Sequence, residues 1–502
     1  MTQSQFQSDY RVSPISLLVL CLAVIQGTST TLTLAYHFSL AFEPVVNALW
    51  ALTYLLSTVA LFATFGVNWV TWVVRYRLLL TLLIVGAFFS SFWSVDNGLS
   101  LERSVHLVGS TLIALCIGFT VPLARILRIT SWILLMLLIA SVAMVFLYPA
   151  LGIEQYEGKN VWRGVMTSKN TLGFWSTVAC LLFVTQSARQ QSFLVTVGWL
   201  AAAALAVIVL YFTVSATSVL SLFVAGLMTG YLWAAFRFRL SFVPMFVLGV
   251  MVTGIAALAF IQIDTAEMIG RSNDLTGRAD VWRQTWELVL AKPLTGYGYG
   301  ALWYPTAESM WIQRSLLDFS WVVFHAHNGF LQLASEIGLP LTFVALLMIL
   351  QQLIETVFCQ YQRQQPGVLF VLGFLVALLV SNYAEARMLV NRELYWIFFI
   401  ALPISMLQQI TVIATDTAFN PVPTPLKERK FKKSPTLAAD RQTRKELKAR
   451  LRSRREGRII EATATPIPTV NDSNSTPSNS QQLETDTNRL EQKLIRRRKK
   501  SK

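Results

Sequence analysis

Apolar runs of about twenty residues, parted by short polar breaks, fill the first 412 positions of the chain. Each run is long enough, as a helix, to cross a ~30 Å hydrocarbon core, which takes roughly 17–25 residues. Twelve can be drawn, at 14–35, 44–65, 77–94, 103–122, 130–149, 170–187, 192–213, 215–235, 241–262, 329–352, 366–384 and 394–412. The break at Ser215 and the gap at 36–43 are the least sharply marked. One long polar-interrupted segment, from Asp264 to His327, separates the ninth run from the tenth. Inside it Val281, Trp282, Trp286, Leu288 and Val289 cluster as an amphipathic helix that Thr276-Gly277 opens and Pro293 closes. Gly296-Tyr-Gly-Tyr-Gly300 then predicts a tight turn. Helices rich in Trp favour the membrane–water boundary, so this segment is expected to lie along the outer one and cap the bundle.

The predicted fold is therefore an all-α, polytopic helical membrane protein with about 12 transmembrane helices and a large outer loop between spans 9 and 10. Residues 1–13 form an N-terminal tail, 14–412 the transmembrane domain with the loop at 263–328, and 413–502 a C-terminal tail. Composition agrees. Apolar residues make up 54% of the chain and charged residues 14%, against roughly 25% charged in soluble domains. Mean hydropathy is +0.51.

The net charge of +15 belongs to the tail. Residues 421–502 hold 22 of the 42 Lys and Arg and 9 of the 27 Asp and Glu, a net +13 that leaves +2 for residues 1–420. Pro421-Val-Pro-Thr-Pro425, the basic run from Lys427 to Arg458 and the Ser/Thr/Asn/Pro tract at 462–482 cannot bury a core, so this tail is expected to be disordered. Beside a membrane such a charge favours anionic lipid over nucleic acid. The excess of cations on cytoplasmic loops tests the topology. With the N-terminus inside, Arg75, Arg77, Arg125, Arg128, Arg189, Arg237, Arg239 and Arg363 all fall on inner loops that hold almost no acids. The outer loops mix signs, as at Glu154 to Lys169 and at Glu385, Arg387, Arg392 and Glu393. Both termini are thus expected in the cytoplasm. The four cysteines sit in or near apolar runs without a paired spacing, which speaks against a disulfide framework or a Cys metal site.

Candidate chemistry concentrates on the outer side. Two of the four histidines, His325 and His327, stand where the long loop meets the tenth run. Imidazole changes charge near neutral pH, so either is a proton acceptor at a membrane boundary or simply an interfacial side chain. Asn328 is placed to cap the helix that starts there. Glu336, nine residues on, falls on the opposite helix face and roughly 13 Å deeper, which suits a buried scaffold role better than a partnership with His327. Arg163 and Lys169, just before the sixth run, read either as a diphosphate site at a helix start or as solvated loop charge. Arg278, directly after Gly277, suits phosphate oxygens through its planar paired donors. Asp96 and Asn97-Gly98 read as cap and turn. No Walker loop, Asp-rich cluster or HExxH is present, so no metal and no cofactor is expected.

Several motifs in order resemble the O-antigen ligase and polymerase superfamily: Trp93-Ser-Val-Asp96, Lys169-Asn-Thr-Leu-Gly173, Gly277-Arg-Ala-Asp-Val-Trp282, Pro293-Leu-Thr-Gly-Tyr-Gly298 and His327-Asn-Gly-Phe-Leu-Gln-Leu-Ala-Ser-Glu-Ile-Gly338. The likeness covers residues 15–412. It implies a bacterial plasma-membrane glycosyltransferase, metal-independent and inverting, with an extracytoplasmic site. The implied donor is a glycan on undecaprenyl diphosphate, and the acceptor a hydroxyl of a saccharide or lipid-linked partner. By the same resemblance His327 is the base and Arg278 holds the diphosphate, while Arg163, Lys169 and Asn328 are further substrate-site candidates from their own positions in the chain. The chain departs from the pattern at Ser215-Ala-Thr-Ser218, where many members carry a Ser-Arg pair. A twelve-span secondary transporter is the alternative. The minimal gap between spans six and seven and the late outer loop fit it poorly.

Overall fold

The computed structural model describes residues 12–28, 43–156, 158–238, 247, 251, 276–306, 309–311, 314 and 323–418. The gap up to residue 42, the run at 241–262 apart from residues 247 and 251, and the basic tail from 421 lie outside the described residues. The helices of nine residues or more are α1 (Pro14–Gly27), α2 (Glu43–Phe65), α3 (Asn68–Tyr76), α4 (Leu78–Phe89), α5 (Asn97–Thr120), α6 (Leu123–Leu147), α7 (Lys169–Ser187), α8 (Phe193–Thr213), α9 (Ala216–Arg237), α10 (Thr276–Ala291), α11 (Gly329–Arg363), α12 (Pro366–Ala384) and α13 (Leu394–Ala418).

Among the described residues seven helices, α2, α5, α6, α8, α9, α11 and α12, are long and apolar enough to cross a membrane, or eight if the bent pair α3–α4 forms one span. The apolar stretches of α1 and α13 are shorter, at Pro14–Gly27 and Leu394–Leu407. The chain is a helical, multi-pass membrane protein. Trp175, Trp396, Phe174, Phe183, Phe374, Phe398 and Phe399 fill its interior, where α7 lies along α8, α5 along α13 and α9 along α12.

Helix boundaries follow local chemistry rather than the apolar runs alone. The run drawn at 103–122 is a helix that starts at Asn97, because the Asp96 side chain takes the Leu99 N–H at 2.9 Å. The run drawn at 130–149 starts at Leu123, after Pro122. The division at Ser215 is real: Val214 turns left-handed, φ 49°, between α8 and α9. The run drawn at 77–94 is preceded by α3, which meets the following helix at 99°. Arg77 stands at that bend and donates through Nη1 to both oxygens of Glu355, at 2.9 and 2.8 Å. The two-stranded antiparallel ribbon β1 (Ile153–Tyr156) and β2 (Lys159–Trp162) departs from the all-helical expectation. Gly158, φ 72°, makes its turn, and Trp162 stacks on Phe212 at 4.4 Å.

Helix α11 is the element that positions the site. It runs 35 residues and breaks at Gly338, φ 78°, with Pro340 just beyond. A Cβ at Gly338 would collide with the backbone of Leu294 and Thr295. The break exists because the glycine-rich turn wedges there. Tyr297 and Gly298 donate their N–H groups to the carbonyls of Ser335 and Glu336, at 2.9 and 2.8 Å, and Leu339 N–H reaches the Pro293 carbonyl at 2.7 Å. Glu336 accepts the Gly300 N–H at 3.1 Å, so this buried carboxyl braces the turn. Gly296, Gly298 and Gly300 all have positive φ, which is what the three glycines are for. The same turn joins the α4–α5 corner: Val95 N–H donates to the Tyr297 carbonyl at 2.9 Å and Ser100 Oγ to the Tyr299 carbonyl at 2.8 Å.

Candidate functional site

The site is built where α11 begins. Asn328 Oδ1 accepts the Phe330 and Leu331 N–H groups at 3.0 and 3.2 Å, so its oxygen is committed to the cap, as expected. The residue before it, His327, is left-handed at φ 49°. Imidazole residues tolerate that region better than most, yet such a conformation still costs on the order of 1–3 kcal/mol and persists only where its surroundings impose it. Two bonds impose it here. His327 N–H donates to Nδ1 of His325 at 3.2 Å, and Trp282 Nε1 of α10 donates to the His327 carbonyl at 3.2 Å. The imidazole rings stand 3.8 Å apart.

A carboxylate joins them from far along the chain. Polar atoms of His325, His327 and Glu385 all lie within 4.8 Å of one another. Glu385 follows the end of α12 and accepts from Asn170 Nδ2 at 2.7 Å. Asn170 Oδ1 in turn accepts from Ser215 Oγ at 3.0 Å, and Ser215 and Ser218 share a bond of 2.9 Å. Four separate elements therefore meet: the 323–328 turn, the start of α7, the α8–α9 corner and the loop after α12.

Two imidazoles and a carboxylate are also a donor set for a divalent ion. In this structure the His325 Nδ1 lone pair accepts a backbone N–H, which favours the neutral ring with its proton on Nε2. The cluster thus offers a chain of hydrogen bonds as well as a donor set for an ion.

The loop after α12 is held tightly. Asn382 Oδ1 accepts the Arg387 and Met388 N–H groups at 3.0 and 2.9 Å. Tyr299 Oη donates to the Leu389 carbonyl at 2.6 Å. Leu389 and Arg392 are both left-handed, φ 58° and 57°, and Leu389 is buried. Burial pushes the Tyr299 phenol well above its usual range, with the Glu336 carboxylate adding to the effect, so it stays protonated and keeps donating. Gly329 lies against Asn382 closely enough that a Cβ would overlap the amide. Gly329→Ala is therefore expected to displace the 385–393 loop and lower stability by about 1–3 kcal/mol, as overpacking does, together with loss of activity. Thermal unfolding of the purified variant checks the first part.

The described cations among the other sequence candidates make contacts with their own ribbon. Arg163 donates through Nε to the Leu151 carbonyl at 2.8 Å, bracing the ribbon beside which it sits. Lys169 is 5% exposed, its ammonium 3.1 Å from the Tyr156 ring centroid and its N–H 3.0 Å from Glu154 Oε2. Both cations thus engage their own loop and ribbon. Arg278 lies in the first turn of α10, and its side chain is outside the described residues. Trp286, which the sequence pattern grouped with the apolar face, is 45% exposed. At 100° per residue the buried face carries Val281, Leu288 and Val289, and Trp286 points away from it.

Residues 201–346 match the family model described as O-antigen ligase. The match runs from within α8 to beyond the break in α11, and takes in Ser215, α10 and the His325–His327 turn. This stretch is similar to that family over 146 of the 502 residues. The motifs noted in the sequence point to the same superfamily. No curated protein matches the chain. Asn170, Glu385 and Arg387 lie outside the matched residues, although Asn170 and Glu385 bond or approach residues within them. Sequence spacing missed all three as site residues, since 215 positions separate Asn170 from Glu385. The available signal was the density of charge at Glu385, Arg387, Arg392 and Glu393, two of each sign on one loop of a charge-poor protein.

Proposed function

We propose that the chain transfers a glycan from undecaprenyl diphosphate to an acceptor hydroxyl, as a polymerase or ligase of surface polysaccharide. The reading puts the reaction at the outer face of the bacterial plasma membrane, in a bundle of twelve spans with both termini cytoplasmic and the basic tail on the anionic inner surface. The single observation that carries it is the His325–His327–Glu385 cluster at the mouth of α11, inside or touching the matched residues.

His327 takes the proton of the acceptor hydroxyl as that oxygen attacks the anomeric carbon. The bond from this carbon to the diphosphate oxygen breaks, and the lipid diphosphate leaves with the electron pair. Attack from the face opposite the leaving group inverts the anomeric centre. Glu385 stabilises the imidazolium, because an opposite charge within about 4–6 Å favours the charged form. Asn328 holds the turn. Lipid diphosphate is a good leaving group, so a base, cations and positioning are sufficient, with no metal and no nucleotide. Arg278 is the donor-binding cation of the long loop, and Arg163 and Lys169 support the ribbon that borders the site.

Arg278→Ala is expected to weaken apparent donor affinity by about ten-fold or more, the size of a lost charge-assisted contact. A titration of labelled lipid-linked donor against transfer rate measures it. Unchanged donor affinity removes Arg278 from the site.

A further inference from the structure

Arg387 is a buried guanidinium with more donors than partners. It is 4% exposed. Its Nε donates to Ser381 Oγ at 2.6 Å and its Nη2 to the Asn170 carbonyl at 3.1 Å. A guanidinium carries five N–H donors, so three are without a partner among the described residues. Nor does a carboxylate form an ion pair with it: among the described residues the ion pairs are Arg77–Glu355 and His106–Glu102. The rings of Phe174 and Tyr395 each lie 4.7 Å from its central carbon. Aromatic faces stabilise such a cation while leaving its N–H edge available to an anion.

Its place matters as much as its spare donors. Asn170 links Arg387, through its carbonyl, to Glu385, through its amide, and Glu385 groups with the two histidines. Asn382 fixes the Arg387 backbone and also packs on Gly329, two residues after His327. One junction between α11 and α12 therefore sets the imidazole and the guanidinium in register. Three other described cations on this side are engaged elsewhere: Arg163 with the Leu151 carbonyl, Lys169 with the Tyr156 ring, and Arg392 with His106 Nε2 at 2.7 Å.

We propose that Arg387 binds diphosphate oxygens, and that the diphosphate is that of the lipid-linked donor; this rests on the transfer reading above. Its paired N–H edge meets two oxygens of the leaving group and holds the charge they gain as the bond to the sugar breaks, with no proton passing to it. The α12–α13 loop then supplies a cation beside Ser215, where the α8–α9 corner itself has none.

The test uses the full-length protein in nanodiscs and inorganic diphosphate as the probe, followed by calorimetry at low salt. Wild type is expected to bind it, Arg387→Gln about ten-fold more weakly or worse, and Arg387→Lys to fall between, since it keeps the charge and loses the fork. Equal affinity in wild type and Arg387→Gln overturns the proposal. Should Arg387→Gln not fold, Ser381→Ala, which frees the guanidinium from its Nε anchor, must shift the affinity, and no shift overturns it as well. Polyprenyl diphosphate and phosphatidylglycerol are then compared as competitors. Displacement by the polyprenyl diphosphate alone supports the donor, and equal displacement by phosphatidylglycerol makes the site one for bulk headgroups and removes the donor assignment. Because the probe carries no glycan, a difference between wild type and Arg387→Gln stands even if transfer fails. Transfer with an unchanged affinity removes Arg387 and leaves the transfer reading in place.

Discussion

His327→Ala is expected to abolish glycan transfer, lowering the rate by about 10²–10⁴-fold, the usual contribution of a positioned base. Alanine keeps the helix start intact, because the cap belongs to Asn328 and the bonds that shape the turn use the His327 backbone. Membrane insertion and thermal stability should therefore stay near those of wild type. His325→Ala provides a contrast: it removes the acceptor of the His327 N–H and leaves a left-handed residue less restrained. It is expected to lower the rate less and to broaden the temperature of unfolding. The rate of wild type should also fall on the acid side, because an imidazolium has no lone pair with which to accept a proton. Rate measurements on both variants across pH decide these points, and a His327→Ala protein with normal transfer ends the assignment of the base.

Glu385→Gln is the second large effect. Glutamine fills the same space and still accepts the Asn170 amide, so the junction of α7 with the α12 end should survive. What disappears is the negative charge close to the two imidazoles. A charge-assisted contact of about 1.5–3 kcal/mol corresponds to roughly 10–100-fold in rate. The loss should appear in kcat and not in donor KM, because the carboxylate acts on the base and not on the donor. Kinetics of the purified variant with a labelled lipid-linked glycan measure both. A glutamine variant with wild-type kcat would leave Glu385 a structural residue.

The chain's own pattern revealed the membrane bundle, the base candidate and its cap, because these are local. Twenty-residue apolar runs and an Asn before a helix leave their mark within a few positions. The amphipathic helix, its Thr276 start and the glycine turn were legible for the same reason. What escaped is non-local. The 99° bend at Arg77 depends on a partner, Glu355, that is 278 residues away. The acceptor of the Gly300 N–H could be read as a buried carboxyl at Glu336, but not as the brace of that particular turn. Arg163 and Lys169 fitted a phosphate site by spacing, yet the Leu151 carbonyl and the Tyr156 ring engage them, and neither contact has a sequence signature. Glu385 and Arg387 were visible as loop charge, and their meeting with Asn170 needed the fold.

Incubating the purified full-length protein with a labelled glycan on undecaprenyl diphosphate, with and without an added acceptor, tests the central claim most directly. The expected result is release of lipid diphosphate with the label moved onto another hydroxyl: chain growth without added acceptor for a polymerase, transfer only to the added acceptor for a ligase. Folded, membrane-inserted protein that leaves the label on its lipid under both conditions would contradict the account.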